Sequence, residues 1–204
     1  MKKILVAAVL VLGTLGIFAQ AGTQYIAIMP GYQWSTGSYT YNDGAFQTKA
    51  KGEGNFVFSL DYGYFFTENV GLHAAYMYDK GDYKAQLTYL PLNWGTGSYK
   101  FSRTVNIFEI GPEFATKAGT NGQFYGQINL GYTFGSGETH FYLNGNRYNL
   151  GNVGGNDWAF GGAFGYRYYF NNSVGLGVQV AYHHINGFDI NDMWDSRLGV
   201  WFKF

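Results

Sequence analysis

Apolar and polar residues alternate along most of this chain with a period of two. Between Trp158 and Phe170, one set is Trp158, Phe160, Gly162, Phe164, Tyr166, Tyr168 and Phe170. The other is Ala159, Gly161, Ala163, Gly165, Arg167 and Tyr169. Successive side chains of a strand point to opposite faces. The pattern therefore predicts a β-strand with one bulky aromatic face and one small, sparsely polar face. Asn171-Asn172-Ser173 breaks it as a turn. Val174, Leu176, Val178, Val180 and Tyr182 then resume the greasy face, against Gly175, Gly177, Gln179, Ala181 and His183.

The same alternation predicts six more strands. They run over Gln24–Trp34, Asn55–Tyr64, Val70–Asp79, Val105–Phe114, Phe124–Phe134 and Ser196–Phe204. Pro30 weakens the first, because proline cannot donate to a ladder. In the fourth, Val105 and Ile107 put large apolar groups on the otherwise polar side. Thr67–Asn69, Thr116–Gly122 and Asn171–Ser173 are short connections. Ser35–Gly54, Lys80–Ser102, Gly135–Asp157 and Gly187–Asp195 are long and polar, and are read as loops. The third long one holds Asn144-Gly145, a strong hairpin signal. Short and long connections alternate, so all turns fall at one end and all loops at the other. That is the layout of an eight-stranded up-and-down antiparallel transmembrane barrel, with short periplasmic turns and long extracellular loops.

Composition decides which face points out. Charged residues make up 13% of the chain, about half the usual share of a soluble domain, ~25%. A lipocalin-like soluble barrel would put the aromatic face inside. An eight-stranded interior is only just filled by side chains, and 19 Tyr, 18 Phe and 5 Trp would not fit there. The Gly- and Ala-rich face suits a narrow lumen. Lys2 and Lys3, the apolar run Ile4–Phe18 and Ala19-Gln20-Ala21 have the form of a secretory signal peptide. Residues 1–21 are therefore expected to be a signal peptide and 22–204 the barrel domain. Without Lys2 and Lys3, 11 basic residues face 13 acidic ones. No run of basic residues points to nucleic acid, and without Cys no disulfide or thiolate metal site is available.

The segments Leu60-Asp-Tyr-Gly-Tyr-Phe-Phe-Thr-Glu-Asn-Val-Gly-Leu72 and Gly165-Tyr-Arg-Tyr-Tyr-Phe-Asn-Asn-Ser-Val-Gly-Leu176 are strand–turn–strand units. With the signal peptide and the terminal strand ending at Phe204, they make the chain resemble the small OmpA/OmpX-type outer-membrane barrels, including the opacity-type, porin-like proteins. The resemblance implies an integral protein of a Gram-negative outer membrane, surrounded by its lipids. It also implies that Leu198, Val200, Phe202 and Phe204 form the C-terminal signal read by the barrel-assembly machinery.

Candidate chemistry lies on the inner face. Asp61, Glu109, Glu113, Arg167, Arg197 and Lys203 are charged, face the lumen by alternation and sum to zero. Charges in a narrow low-dielectric lumen must be paired, which predicts a salt-bridge plug; a proton or ion path is the alternative. Strand directions place Glu113 near Arg167, and Asp61 near Lys203. Some small barrels of this membrane modify lipids with a Ser/His pair near the outer rim. Here His183 faces in and His184 out, and no Ser lies two residues beyond either. Neighbours on opposite faces are also poor metal ligands. No catalytic residue, metal or cofactor is therefore expected. The long connections carry Tyr39, Tyr41, Phe46, Tyr83, Tyr89, Trp94, Tyr99, Phe141, Tyr142, Tyr148 and Trp194. Such rings among Gly, Asn and Ser serve either as a binding surface for an extracellular ligand or as cross-strand pairs in extended hairpins. The functional expectation is a non-enzymatic, envelope-structural, adhesin-like barrel, with a narrow solute channel as the second reading and a lipid-modifying enzyme as the third.

Overall fold

The computed structural model describes residues 22–35, 38–42, 46–52, 54–89, 96–143, 146–186 and 192–204. Residues 1–21, where a signal peptide is expected, Trp94 and Asn144-Gly145, where a hairpin turn is expected, lie outside them. Ten strands are present: β1 (Gln24–Ser35), β2 (Ser38–Asn42), β3 (Phe46–Gly52), β4 (Asn55–Phe65), β5 (Val70–Tyr89), β6 (Thr96–Ala118), β7 (Gly122–Leu143), β8 (Asn146–Tyr169), β9 (Val174–Ile185) and β10 (Asp192–Lys203). Eight of them, β1 and β4 to β10, pair in sequence order, and β10 pairs back onto β1. All pairings are antiparallel, so the sheet is a closed meander. Gln24 and Phe204 exchange backbone hydrogen bonds of 3.0 Å each way, fastening the seam at the chain ends.

The short turns are built by side-chain caps. Thr67 Oγ1 accepts from the backbone N–H of Val70 at 3.0 Å, and Asn171 Oδ1 accepts from those of Ser173 and Val174 at 2.8 Å. Gly119 takes a positive φ of 75°, which a side chain would resist. Lys117 Nζ donates to Glu68 at 2.8 Å, and this bond holds the exposed carboxyl below its ordinary range.

The other end departs from the loop reading. The connections at Lys80–Ser102 and Gly135–Asp157 are mostly strand. β5 and β6 stay in register up to Thr88 opposite Thr96, and β7 and β8 stay paired up to Leu143 opposite Asn146, with one register shift between Thr139 and His140. Within Ser35–Gly54, β2 pairs β3, and β3 pairs the upper part of β5. The reason is physical. A ladder above the membrane needs backbone hydrogen bonds but no buried face, so it leaves no hydrophobic alternation to read.

The faces follow the alternation. Phe164 is 63% exposed, Ile128 60% and Leu198 67%, although all are apolar. Their strand neighbours Gly165, Asn129 and Arg197 are buried. Val105 and Ile107 are fully enclosed in the lumen. Outward rings form girdles above and below an aliphatic band. Tyr132 meets Trp158 edge-on at 5.3 Å in the upper one, and Tyr168 meets Phe170 at 5.7 Å in the lower one. Water would penalise such a surface; hydrocarbon flanked by interfaces stabilises it.

Phe164→Arg and Val178→Arg should each destabilise the folded barrel by about 2–4 kcal/mol, the cost of a charge near the bilayer midplane. A folding titration in lipid vesicles measures this. Neutral substitutions would mean that the faces are inverted.

Candidate functional site: the filled lumen

Inside, small residues make room for large ones. A Cβ on Gly63 would collide with the Tyr25 ring, one on Gly165 with Tyr125, and one on Gly177 with Trp201. The lower lumen holds Tyr25, Ala27, Met29, Phe65, Ala115, Tyr125 and Trp201. The upper lumen holds Val57, Met77, Val105, Ile107, Ala159, Ile185 and Met193. Polar side chains occupy the space between and within these layers.

At the lower end, Arg167 Nη2 lies 3.0 Å from Glu113 Oε1, and both side chains are buried. Arg167 Nε donates to Gln123 at 2.8 Å. Its guanidinium lies 4.7 Å from the Tyr25 ring centre and 4.9 Å from that of Tyr125, within cation–π range. Glu113 Oε2 accepts from the Tyr25 hydroxyl and, at 2.9 Å, from Gln127. Gln179 Nε2 then donates to Gln127 Oε1 at 2.9 Å, carrying the network upward.

At mid-height Arg197 and Asp195 form a two-pronged pair, with Nε to Oδ1 at 2.7 Å and Nη2 to Oδ2 at 2.8 Å. Arg197 Nη1 also donates to Gln179 at 3.3 Å. His183 sits beside this pair, fully buried. Its Nδ1 is 2.7 Å from Glu109 Oε1, which identifies Nδ1–H as the donor. Its Nε2 lies 3.0 Å from both Asp195 Oδ2 and Arg197 Nη2. Asn129 donates to the other oxygen of Glu109 at 2.8 Å. Higher still, Arg103 Nη2 lies 3.5 Å from Asp79 and 2.8 Å from the Met193 sulfur.

Of the six charges read from sequence, Arg167 and Glu113 are in contact, and Glu109 and Arg197 join one network through His183. Asp61 accepts from Ser59, not from Lys203. Lys203 stays at the lower mouth, only half-buried, with Nζ 5.2 Å from the Tyr169 ring centre. The sum of zero does not describe the interior. Asp79, Arg103 and Asp195 are buried charges beyond those six, and His183 is a buried titratable group beside them; Asp79 and His183 lie on the inner face that the alternation gives. Arg103 and Asp195 lie in or beside segments whose pattern reads as loop. Asp195 was legible from its i, i+2 spacing to Arg197, which puts both on one face.

His184 faces outward. Its Nδ1 is 2.8 Å from Asp192 Oδ1, which also accepts from the Tyr182 hydroxyl at 2.6 Å, and its ring lies 4.8 Å from that of Phe160. Among the described residues no group of three His, Cys, Asp or Glu is arranged to hold a metal ion.

Removing one partner of a buried pair leaves an uncompensated charge, which costs about 3–5 kcal/mol. Arg167→Ala should therefore destabilise the barrel by that amount. Arg167→Gln with Glu113→Gln should recover much of it. Urea unfolding in micelles measures both, and an additive double variant would show that the two side chains do not interact.

No protein-family model matches the sequence, nor does any curated protein sequence. Solved structures do. OprG, an outer membrane protein from Pseudomonas aeruginosa, superposes with a TM-score of 0.60 at 17% identity, over 90% of this chain and 96% of that one. The outer membrane protease OmpT from Escherichia coli gives 0.54 at 9% identity, over 91% and 98%. Ail, the attachment invasion locus protein of Yersinia pestis, gives 0.50 at 16% identity, over 91% and 100%. With these likenesses beside the closed sheet and its apolar outer belt, the chain has the fold of the small OmpA/OmpX-like integral outer-membrane β-barrels.

Proposed function

We propose that this is a non-enzymatic barrel of a Gram-negative outer membrane, in which the lumen is a load of packed and paired side chains and the work is done at the surface. One observation carries the reading. Polar partners run unbroken across the lumen from Arg167 through Glu113, Gln127 and Gln179 to Arg197, between an aromatic layer below and an aliphatic one above. A conducting path would need water where these groups sit. The hairpins β5–β6 and β7–β8 project beyond the upper girdle and offer an extracellular ligand two paired edges and the rings Phe141 and Tyr148, 6.3 Å apart.

A non-enzymatic role is supported by where the histidines are engaged. His183 has both ring nitrogens on carboxylates and a guanidinium, which leaves none for a hydroxyl nucleophile, and His184 lies on the outward face with its ring against Phe160. OmpT shows that the fold also supports a protease, and activity against casein is the assay that would overturn this part.

The alternative, a narrow solute channel, is tested by current. Purified wild-type protein in planar bilayers should give little or no steady conductance. Large, stable open-channel currents would move the function to solute passage.

Assembly is the other part of the proposal. Outer-membrane lipids surround the outward belt, and the barrel-assembly machinery reads Leu198, Val200, Phe202 and Phe204. Leu198, Phe202 and Phe204 are exposed on the outer face. Phe204→Ser keeps the backbone bonds to Gln24, so refolding in micelles should be nearly normal while the folded amount in the outer membrane falls. Equal membrane levels for variant and wild type would refute it.

A further inference from the structure

The outward belt is indented at Ala74. Its methyl group sits opposite Tyr62 of β4 on one side and Ile110 of β6 on the other, with Leu72 and Tyr76 next to it on the same face of β5. The resulting cleft has a volume of about 230 Å³. The strand at His73 and Ala74 is its floor. Tyr62, Tyr64, Leu72 and Ile110 line its sides, and Phe66 stands at the turn end.

The rings around Ala74 are fastened elsewhere. The Tyr62 hydroxyl donates to Gln24 Oε1 of β1 at 2.8 Å, which draws that ring toward the barrel seam. Tyr64 meets Phe66 edge-on, with ring centres 5.2 Å apart. Tyr76 leans on Phe108 at 5.1 Å, and its hydroxyl donates to Asn106 Oδ1 at 2.6 Å, both on β6. None of these three rings closes over the methyl group, so the cleft persists as a shaped feature of the wall.

The cleft opens into hydrocarbon. The rung Tyr64–Leu72 is the second from the turn end of the β4–β5 ladder, which sets the cleft in the leaflet on the short-turn side. An empty apolar hollow forfeits dispersion contacts along its lining, and water does not fill one. An apolar cavity of ~150 Å³ takes up a benzene ring, so this one accommodates a longer stretch of hydrocarbon. A second barrel fits it less well. Protein segments that associate inside a bilayer use small residues, which let backbones approach, and hydrogen bonds between the partners. Here one small residue lies behind a bulky rim, with Ile110 58% exposed and Phe66 56%. The Tyr62 and Tyr76 hydroxyls are already engaged within the barrel. A thin, flexible chain reaches the floor where another wall of side chains would stop at the rim.

We infer that this cleft is a binding site for one acyl chain of a membrane lipid in the leaflet on the short-turn side. It recognises the chain and not the headgroup, because no Lys, Arg, Asp or Glu lines it. This deepens the reading that outer-membrane lipids surround the outward belt, and rests on it.

The test is native mass spectrometry of the refolded full barrel, released from micelles doped with phosphatidylethanolamine or with phosphatidylglycerol of the same chains. Wild type should retain one lipid, equally for the two headgroups. Ala74→Phe fills the cleft and should lower the retained fraction about tenfold, a difference of about 1.4 kcal/mol. Val180→Phe, on the outward face of β9, should retain lipid like wild type. Both substitutions exchange one apolar group for another on a lipid-facing surface, and the mobility shift on boiling identifies folded protein, so lost lipid will not reflect misfolding. Equal retention by wild type and Ala74→Phe would overturn the site, as would a wild type that retains none. Dependence on the headgroup would overturn recognition of the chain. A wild-type dimer that Ala74→Phe dissociates would give the cleft to a second copy. Each of these outcomes leaves the belt in hydrocarbon, which the Phe164→Arg titration tests, so the two readings fail separately.

Discussion

Hydrocarbon offers a backbone amide no hydrogen-bond partner, and every other feature of this molecule follows from that. A sheet can enter such a medium only if it has no edge. Here the edge is abolished by pairing β10 to β1, with Gln24 and Phe204 closing the last rung. The two prolines on the outward face show the tolerance of the arrangement. Between Ile28–Val200 and Gly31–Arg197 the β1–β10 ladder skips Pro30, and between Ile110–Leu130 and Glu113–Gln127 the β6–β7 ladder skips Pro112. Each interval is three residues on both strands, so a donor is lost without a change of register. Closure holds the register around each proline.

Closure at eight strands then dictates the interior. The lumen is too narrow for bulky residues on every strand, so aromatic side chains from some strands cross it and glycines receive them. Tyr25 lies over Gly63, Tyr125 over Gly165, and Trp201 over Gly177 and Gly199. The remaining space is polar, and a polar group buried there needs a partner. Hence the chain of Arg, carboxylate, Gln and His contacts. Stability and blockage have one cause, since the groups that satisfy each other also fill the cross-section.

The sequence was informative where membrane and lumen press on opposite sides of one strand. There the period of two is enforced by solvent on one face and by space on the other, and strand number, faces and closure were all readable. Above the girdle both faces meet water. Lys84, Gln86, Ser98 and Lys100 carry no alternation, and the strands there escaped notice. Charges near the limits of the alternation were lost for the same reason, as Arg103 and Asp195 were. Partners across the lumen need shear, which no single strand encodes, so the expected approach of Asp61 and Lys203 does not occur; the contact of Asp61 with Ser59, two residues back on one face of β4, needs only the alternation.

The distribution of cations by type follows from desolvation. Among the described residues the buried cations are Arg103, Arg167 and Arg197, whereas Lys80, Lys84 and Lys117 are exposed and Lys203 stops at the mouth. A guanidinium is more weakly hydrated than an ammonium, offers five donors and stacks on rings. Arg167 uses that range at once: a carboxylate, a glutamine and two tyrosine faces. Arg197 does likewise with both oxygens of Asp195, Gln179 and the Met77 sulfur. An ammonium at either place would have three donors on a compact, strongly hydrated charge and could neither fork nor stack. At the water-exposed rim that strong hydration is an advantage. It lets the exposed lysines keep their water, which a dry lumen would strip away. The barrel therefore places its cations by how well each survives without water.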